Sequence, residues 1–164
     1  DIIEKFQLGF ALTKRDAMCN EANRKGSQDE FLVKTGLAIQ NEHGIYDRFA
    51  GRAMFPWLNV SGKVVAFGGR KLDAATKGVQ QKYVNSPDSE IYHKDRELYG
   101  IYQAKKAIVK EDCVYMVEGY TDVIAMHQCG LENVVANSGT ALSNHQIRLL
   151  HRFTENIVLL YDGD

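Results

Sequence analysis

The sequence predicts an α/β fold, α+β overall, in which a small mixed unit precedes a doubly wound parallel sheet. Two uninterrupted apolar runs, at 113–117 and 157–161, are the first reason. Apolar strands without alternation are typical of parallel sheets that are covered on both faces. The second reason is that strand and helix patterns alternate with short connections after residue 94, which favours crossover units. We therefore divide the chain into domains 1–93 and 94–164.

Two short helices are expected early in the first domain. Thr13 is placed to cap a helix that runs to about Arg24 and stops before Gly26. Ser27 and Glu30 have the spacing of a capping box, which predicts a second helix directly afterwards.

Strand patterns follow these helices. Apolar segments bounded by turn residues predict short strands at 53–58, 64–67 and 82–84. The segment 72–81 is polar and poor in large apolar groups, so we expect a surface loop there. The first domain is therefore expected to be a small mixed α+β unit.

The second domain is expected to alternate helices and strands throughout. Helices are predicted at 97–109, 121–129 and 143–153, and strands at 113–117, 134–136 and 156–161. Ser143 is a favourable N-cap for the last helix. A parallel strand normally leads into a covering helix. Because the sequence stops at Asp164, we expect a piece of a longer protein, truncated within this domain.

Acidic side chains stand at the carboxyl ends of the two apolar runs. Glu118 follows the first run, and Asp162 and Asp164 follow the second, each beside a glycine. Ligands of open parallel sheets gather outside the carboxyl ends of the strands, and hard divalent cations prefer carboxylate oxygens. We therefore expect these carboxylates to hold Mg²⁺ or Mn²⁺ and to act in catalysis, with Glu118 as a further ligand or as a base.

Other interpretations of the acidic residues stay open at this point. Acidic residues often simply terminate strands. An apolar strand that ends in Asp-x-Asp also occurs in phosphatases with an aspartate nucleophile, which would be Asp162. Sugar-nucleotide transferases hold a metal with a similar pair. A module that binds nucleic acid without chemistry is a further alternative.

Composition excludes several classes of protein. The net charge is −1, so any nucleic-acid surface has to be a local patch. The three widely spaced cysteines support neither a disulfide framework nor a structural zinc, and a reducing, cytoplasmic compartment fits them best. No apolar run reaches the roughly 20 residues that a membrane span needs, so no membrane role is expected.

A local basic stretch lies between residues 61 and 86. It holds five basic residues against the single acidic Asp73: Lys63, Arg70, Lys71, Lys77 and Lys82. Tyr83 and Asn85 follow, and Lys94 extends the positive stretch. Single-stranded nucleic acid needs cations for its phosphates and an aromatic face for its bases. The alternative is an ordinary solvated loop.

Several motifs of this sequence resemble bacterial DnaG-type primases. Those that resemble their Toprim domain are Glu118-Gly119-Tyr120-Thr121-Asp122-Val123, Ser138-Gly139-Thr140 and Leu160-Tyr161-Asp162-Gly163-Asp164. Those upstream are Tyr46-Asp47-Arg48-Phe49, Arg52-Ala53-Met54-Phe55-Pro56, Phe67-Gly68-Gly69-Arg70, Lys82-Tyr83-Val84-Asn85-Ser86-Pro87 and His93-Lys94. The resemblance runs from about Phe6 to Asp164. It is specific, because the Toprim folds of topoisomerases and recombination factors lack the upstream motifs.

The resemblance implies a Toprim-type, Rossmann-like second domain and a DNA-dependent RNA polymerase that makes short primers at replication forks. It implies Glu118 as the catalytic glutamate, and Asp162 and Asp164 as metal ligands. Template and incoming nucleotide would contact a further set of side chains: Arg52, Arg70, Lys82, Tyr83, Asn85 and Lys94. The active centre would be the cleft between the two subdomains.

The resemblance also implies the partners of the protein. They are a single-stranded DNA template, ribonucleoside triphosphates, an RNA primer and the replicative helicase, which the family binds through a domain not present in this sequence. The family's zinc-binding domain and its further acidic metal ligands also lie outside the sequence. No zinc is therefore expected here, and the isolated chain is expected to be inactive.

Overall fold

The computed structural model describes residues 1–72, 81–137, 139 and 141–163. These residues form two compact units. The N-terminal unit comprises Leu8–Pro56 and Ala66–Tyr92, and the parallel-sheet unit comprises Asp1–Gln7, Trp57–Val65 and His93–Asp164. The predicted boundary near residue 93 is one of the points where the chain passes between the units. The division into 1–93 and 94–164 stays a prediction.

Six helices and nine strands are assigned in the part of the chain that the structure describes. The helices are α1 (Ile2–Phe6), α2 (Ala17–Arg24), α3 (Asp29–Lys34), α4 (Ile101–Glu111), α5 (Tyr120–Gln128) and α6 (Asn144–Leu150). The strands are β1 (Gly9–Phe10), β2 (Ala38–Asn41), β3 (Gly44–Asp47), β4 (Arg52–Leu58), β5 (Val64–Lys71), β6 (Tyr83–Asn85), β7 (Val114–Val117), β8 (Val134–Ala136) and β9 (Ile157–Leu159).

Helix α2 begins three residues later than the sequence predicts, at Ala17, because the side chain that caps it comes from elsewhere in the chain. The carboxylate of Asp47, at the end of β3, accepts the backbone N–H of Met18 at 2.7 Å and that of Cys19 at 3.0 Å. These are first-turn amides, which have no partner inside a helix. The predicted cap at Thr13 is therefore wrong, since the first-turn amides bond to the buried carboxylate of Asp47, which is distant in sequence.

Helix α3 also begins without the predicted capping box. Its N-cap is Gln28, which makes no side-chain cap bond. The carboxylate of Glu30 instead pairs with Lys34, one turn along the exposed face of the helix. This ion pair lowers the pKa of Glu30. The helix is present as predicted, but Ser27 does not start it.

The N-terminal unit contains most of a four-stranded sheet with the order β1-β4-β5-β6, together with the β2–β3 hairpin. β5 continues through the glycine pair Gly68-Gly69 to Lys71, four residues beyond the predicted end. β5 and β6 are antiparallel, with Gly68 opposite Asn85 and Arg70 opposite Tyr83. Most of the predicted loop at 72–81 lies outside the described residues.

A three-stranded parallel sheet with the order β8-β7-β9 lies at the centre of the other unit. β7 pairs in parallel with both neighbours, so its residues are the middle of the sheet. The connection through α5 leads from β7 to β8 on one side of it, and the connection through α6 leads from β8 back past β7 to β9 on the other side. Because both connections should be right-handed, α5 and α6 are expected on opposite faces. The predicted parallel sheet is confirmed.

The core beneath the α6 face explains why β7 is apolar without alternation. Val114 and Met116 of β7 pack with Val135 of β8, and Ile108 of α4 and Leu150 of α6 complete the same fully buried cluster. Val117, which follows Met116 and points to the opposite face of the strand, is also buried, so both faces are covered at this end of β7.

Helix α4 begins at Ile101 instead of the predicted residue 97. Tyr99 exchanges two backbone hydrogen bonds with Ala136 of β8, which holds it in an extended conformation. Gly100 follows with φ 86°, and a Cβ there would lie 2.9 Å from Val123 Cγ1. The bridge and the left-handed residue together delay the helix.

Helix α6 starts as predicted. Ser143 Oγ accepts the N–H of Gln146 at 3.0 Å, and Gln146 Oε1 accepts the N–H of Ser143 at 3.1 Å. The helix ends at Leu150, before the predicted residue 153. Within the described ranges, no helix has both the length and the apolar character needed to cross a membrane.

Candidate active site

Glu118 stands at the carboxyl end of the central strand. β7 ends at Val117, and Gly119 is the N-cap of α5. Asp122 Oδ2 accepts the N–H of Gly119 at 3.1 Å, so this carboxylate belongs to the start of the helix, as expected for an acidic residue there. The side chain of Glu118 remains exposed at the sheet edge.

The end of β9 brings Asp162 to Glu118. The last ladder bond runs from Leu160 N–H to the Met116 carbonyl at 2.8 Å. Two residues later, the backbone N–H of Asp162 donates to Glu118 Oε1 at 3.0 Å. Two of the three predicted carboxylate residues therefore meet at one edge of the sheet, although 44 positions separate them. Asp164 lies outside the described residues.

The donors at this edge suit a hard divalent cation. Glu118 and Asp162 offer carboxylate oxygens, which Mg²⁺ and Mn²⁺ prefer, and both side chains are exposed. Within residues 1–72, 81–137, 139 and 141–163, no group of three or more His, Cys, Asp or Glu side chains is close enough to hold a metal ion. The three-carboxylate site stays a prediction.

Asn137 is a further residue of this edge that the sequence reasoning missed. It follows β8 directly, is 5% exposed, and donates from Nδ2 to Tyr161 Oη at 3.3 Å. Burial, together with the nearby charge of Glu118, raises the pKa of Tyr161, although the bond from Asn137 opposes this. The sequence carries a signal for this residue, because Asn137 directly follows an apolar strand as Glu118 does. Its neighbours Ser138 and Thr140, from the quoted motif, lie outside the described residues.

Three predicted nucleic-acid contacts share one face of the β5–β6 pair in the N-terminal unit. Arg70 lies opposite Tyr83 in the register, with its guanidinium carbon 5.9 Å from the ring centroid. Asn85 is two residues from Tyr83 and therefore points to the same side. The Nε of Arg70 and the Oδ1 of Asn85 are buried and have no hydrogen-bond partner among the described residues. Such atoms call for a partner such as water or a ligand.

Lys82 lies beside this face. Its Nζ is 5.7 Å from the Tyr83 ring centroid, and the side chain is exposed, as is that of Tyr83. We name Arg70, Lys82, Tyr83 and Asn85 the basic–aromatic strip. It presents cations, an aromatic face and a polar side chain together.

Arg52 supports this strip from within. The residue is 4% exposed, and its guanidinium donates to the carbonyls of Gln81 at 3.1 Å and Lys82 at 3.3 Å. A Cβ on Gly69 would lie 3.0 Å from Arg52 Cδ, so a glycine makes room for the arginine. This burial favours a positioning role for Arg52 over the direct nucleic-acid contact expected from the sequence.

Lys94 lies in the parallel-sheet unit. Its side chain is exposed, and its carbonyl accepts Gln146 Nε2 at 3.1 Å. The same amide donates to the Glu97 carbonyl at 2.9 Å. The buried Gln146 of α6 thus fixes the backbone that carries Lys94.

Comparisons with known proteins agree with this arrangement. Residues 1–105 match the family "DNA primase catalytic core, N-terminal domain", and residues 112–164 match the Toprim domain. The DNA primase of Pasteurella multocida is 42% identical over 100% of this chain and 28% of its own length. That of Escherichia coli K12 is 38% identical with the same coverage. The chain therefore spans 28% of the length of these curated relatives.

Solved structures give the same assignment. The RNA polymerase domain of Mycobacterium tuberculosis primase DnaG is similar with a TM-score of 0.90 and 35% identity, over 99% of this chain and 55% of that one. A DnaG primase catalytic domain bound to ssDNA is similar with a TM-score of 0.86 and 38% identity, over 99% and 50%. The resemblance found in the sequence is confirmed: this chain belongs to the DNA primase catalytic core family, DnaG type, and includes Toprim sequence.

Proposed function

We propose that the protein containing this chain is a DNA-directed RNA polymerase that makes short RNA primers on single-stranded DNA by metal-dependent nucleotidyl transfer. The observation that carries the proposal is the 3.0 Å bond from Asp162 N–H to Glu118 Oε1 at neighbouring strand ends of a primase-family chain. The phosphatase and purely binding alternatives have no comparable support, because the similar proteins are primases.

Glu118, Asp162 and Asp164 would hold Mg²⁺ or Mn²⁺ at this edge. The chemistry that such a cation would supply is activation of the attacking 3′-hydroxyl and neutralisation of charge on the departing pyrophosphate. The N–H of Asp162 keeps the carboxylate of Glu118 turned toward the end of β9. Because the side chain of Glu118 is already oriented, it loses less conformational entropy when a ligand binds.

The basic–aromatic strip would bind the template and the incoming ribonucleoside triphosphate. Arg70 and Lys82 provide positive charge for phosphates, and Tyr83 provides a stacking face. Asn85 Oδ1 can accept a hydrogen bond from a base or a ribose. Arg52 would act by holding the backbone at Gln81 and Lys82, and Lys94 stays a candidate for a phosphate contact. Support comes from the similar DnaG catalytic domain, which binds ssDNA.

The remaining partners follow from the proposed reaction. The substrates would be ribonucleoside triphosphates, the product an RNA primer, and the setting the replication fork in a bacterial cytoplasm. Contact with the replicative helicase would use another part of the protein.

The Glu118→Gln substitution in the complete primase tests the carboxylate site. It keeps the side-chain length but removes the charge that attracts a cation. We expect loss of primer synthesis on single-stranded DNA by at least about 100-fold, with an unchanged circular-dichroism melting curve. Glu132→Gln is the matched control, because Glu132 is also exposed but pairs with Lys5 instead. Normal primer yield from Glu118→Gln would contradict the assignment.

The Tyr83→Ala substitution tests the strip. Loss of one stacking face should weaken single-stranded DNA binding by about 1–3 kcal/mol, measured by fluorescence anisotropy at fixed salt. Tyr102→Ala is the control, since Tyr102 is 41% exposed and Tyr83 is 40% exposed. Equal losses from both variants would show that the effect does not belong to the strip.

A further inference from the structure

The strand order gives the bond between Asn137 and Tyr161 a particular geometry. Asn137 follows β8 and Tyr161 follows β9, and β7 lies between these strands. Neighbouring strands are about 4.8 Å apart, so the two flanking strands are about 10 Å apart. A 3.3 Å bond from Asn137 Nδ2 to Tyr161 Oη must therefore pass across the carboxyl end of β7, where Glu118 begins.

The ladder hydrogen bonds of the sheet do not extend to Tyr161 and Asp162. The ladder between β9 and β7 ends with the bond from Leu160 N–H to Met116. Beyond it, the described contacts that tie the segment back to the sheet edge are the Tyr161 hydroxyl on Asn137 and the Asp162 N–H on Glu118. In the bond between Asn137 and Tyr161, the asparagine is the more firmly placed residue, because Asn137 is 5% exposed whereas Tyr161 is 40% exposed.

We propose that Asn137 and Tyr161 are positioning residues of the carboxylate site. Their bond fixes the peptide between Tyr161 and Asp162, and the N–H of that peptide orients the carboxylate of Glu118. This inference rests on the proposed function, in which Glu118 and Asp162 bind a divalent cation, and adds two residues that do not touch the cation themselves.

The role is that of an outer support for metal ligands. Groups that hydrogen-bond or orient a ligand set its direction before the metal arrives, and their loss typically weakens metal binding about 10–100-fold. Tyr161 reaches Asp162 through one peptide, and Asn137 anchors the phenol at a buried strand end. If Tyr161 acted by stacking on substrate, it would need only its ring and not its hydroxyl. Removal of the hydroxyl alone therefore distinguishes a positioning role from a stacking role.

The test uses the complete primase with Mn²⁺ alone as the probe, and free Mn²⁺ is measured by electron paramagnetic resonance. Tyr161→Phe removes the hydroxyl and keeps the ring, and Asn137→Ala removes its partner. We expect each to raise the Mn²⁺ dissociation constant about 10-fold. The double variant should be no weaker than either single variant, because both remove the same bond. Tyr115→Phe, which removes a hydroxyl from the middle of β7, is the control and should change nothing.

Primer synthesis provides a second measurement. The metal concentration for half-maximal rate should rise in Tyr161→Phe, while the rate at saturating Mn²⁺ changes much less. Unchanged Mn²⁺ affinity in either single variant overturns the proposal, and so do additive losses in the double variant. A lower melting temperature with unchanged Mn²⁺ affinity also overturns it, because that result describes a purely structural bond.

Glu118→Gln separates this proposal from the proposed function. If that variant loses Mn²⁺ affinity while Tyr161→Phe keeps it, the positioning role fails and the carboxylate site stands. If Glu118→Gln itself keeps full affinity, the carboxylate site fails and the positioning role fails with it.

Discussion

Acid should destabilise the parallel-sheet unit through His127. This residue of α5 is 6% exposed, and its ring packs edge-on against Phe6 of α1 with centroids 4.8 Å apart. Neither ring nitrogen has a hydrogen-bond partner among the described residues. Burial, assisted by the positive charge of Lys5 and opposed by Glu132, lowers the pKa of His127 from 6.5 to about 4.

The sign of the effect follows from this lowered pKa. The unfolded chain takes up the proton near pH 6.5, whereas the folded chain resists it until about pH 4. The contribution of His127 to stability is therefore fully present above pH 6.5 and is lost as the pH falls toward 4. At 1.36 kcal/mol per pH unit, the full loss is about 3 kcal/mol, and about 2 kcal/mol is lost by pH 5.

Urea unfolding of the 164-residue chain between pH 7.5 and 4.5 measures this loss. Trp57, the single tryptophan, is a local reporter, because it is 2% exposed and its ring lies 5.6 Å from that of Tyr99 in the same aromatic cluster. His127→Phe is the comparison, since it cannot titrate. Carboxylates titrate in both proteins, so the difference in unfolding free energy between them isolates His127. A difference that stays constant from pH 7 to 5 would refute the reasoning.

Two further predictions concern bonds that the structure reveals. Arg52→Met should lower the unfolding free energy by about 3 kcal/mol, because the charged-donor hydrogen bonds to the carbonyls of Gly69, Gln81 and Lys82 are lost, and should weaken single-stranded DNA binding. Arg24→Met, at an exposed ion pair, should leave both measurements unchanged, and equal effects would contradict the buried role of Arg52. Ser143→Ala should lower the unfolding free energy by about 1 kcal/mol in chemical denaturation. Ser27→Ala should leave the unfolding free energy unchanged, and a measurable loss in that variant would show that Ser27 caps α3 after all.

The parts of the fold that sequence predicts best are those set by local pattern. The apolar pattern predicts β8 at its observed bounds and β7 to within one residue, because continuous apolar runs reflect burial on both faces. The convergence of Glu118 with Asp162 follows from the same pattern, since parallel strands end at one edge. The cap at Ser143 is predictable because its partner, the N–H of Gln146, lies only three residues away in the sequence.

The parts that sequence misses depend on distant partners. Nothing near Ala17 indicates that Asp47 caps its helix. Nothing around Arg52 in the sequence indicates that its guanidinium is buried and donates to the carbonyls of Gln81 and Lys82. The start of α4 depends on the pairing of Tyr99 with another strand. In each case, the deciding contact is made in the folded chain with a residue that is distant in sequence.

The capping of α2 by Asp47 has a consequence for the order in which the chain acquires structure during synthesis. An eight-residue helix is too short to persist in water by itself. The carboxylate of Asp47, which accepts the N–H groups of Met18 and Cys19, is synthesised 28 to 29 residues after them. The helix should therefore mature only after the second strand of the hairpin has emerged. Nascent chains arrested before Asp47 should leave the Cys19 thiol open to alkylation, and chains arrested well after it should bury that thiol.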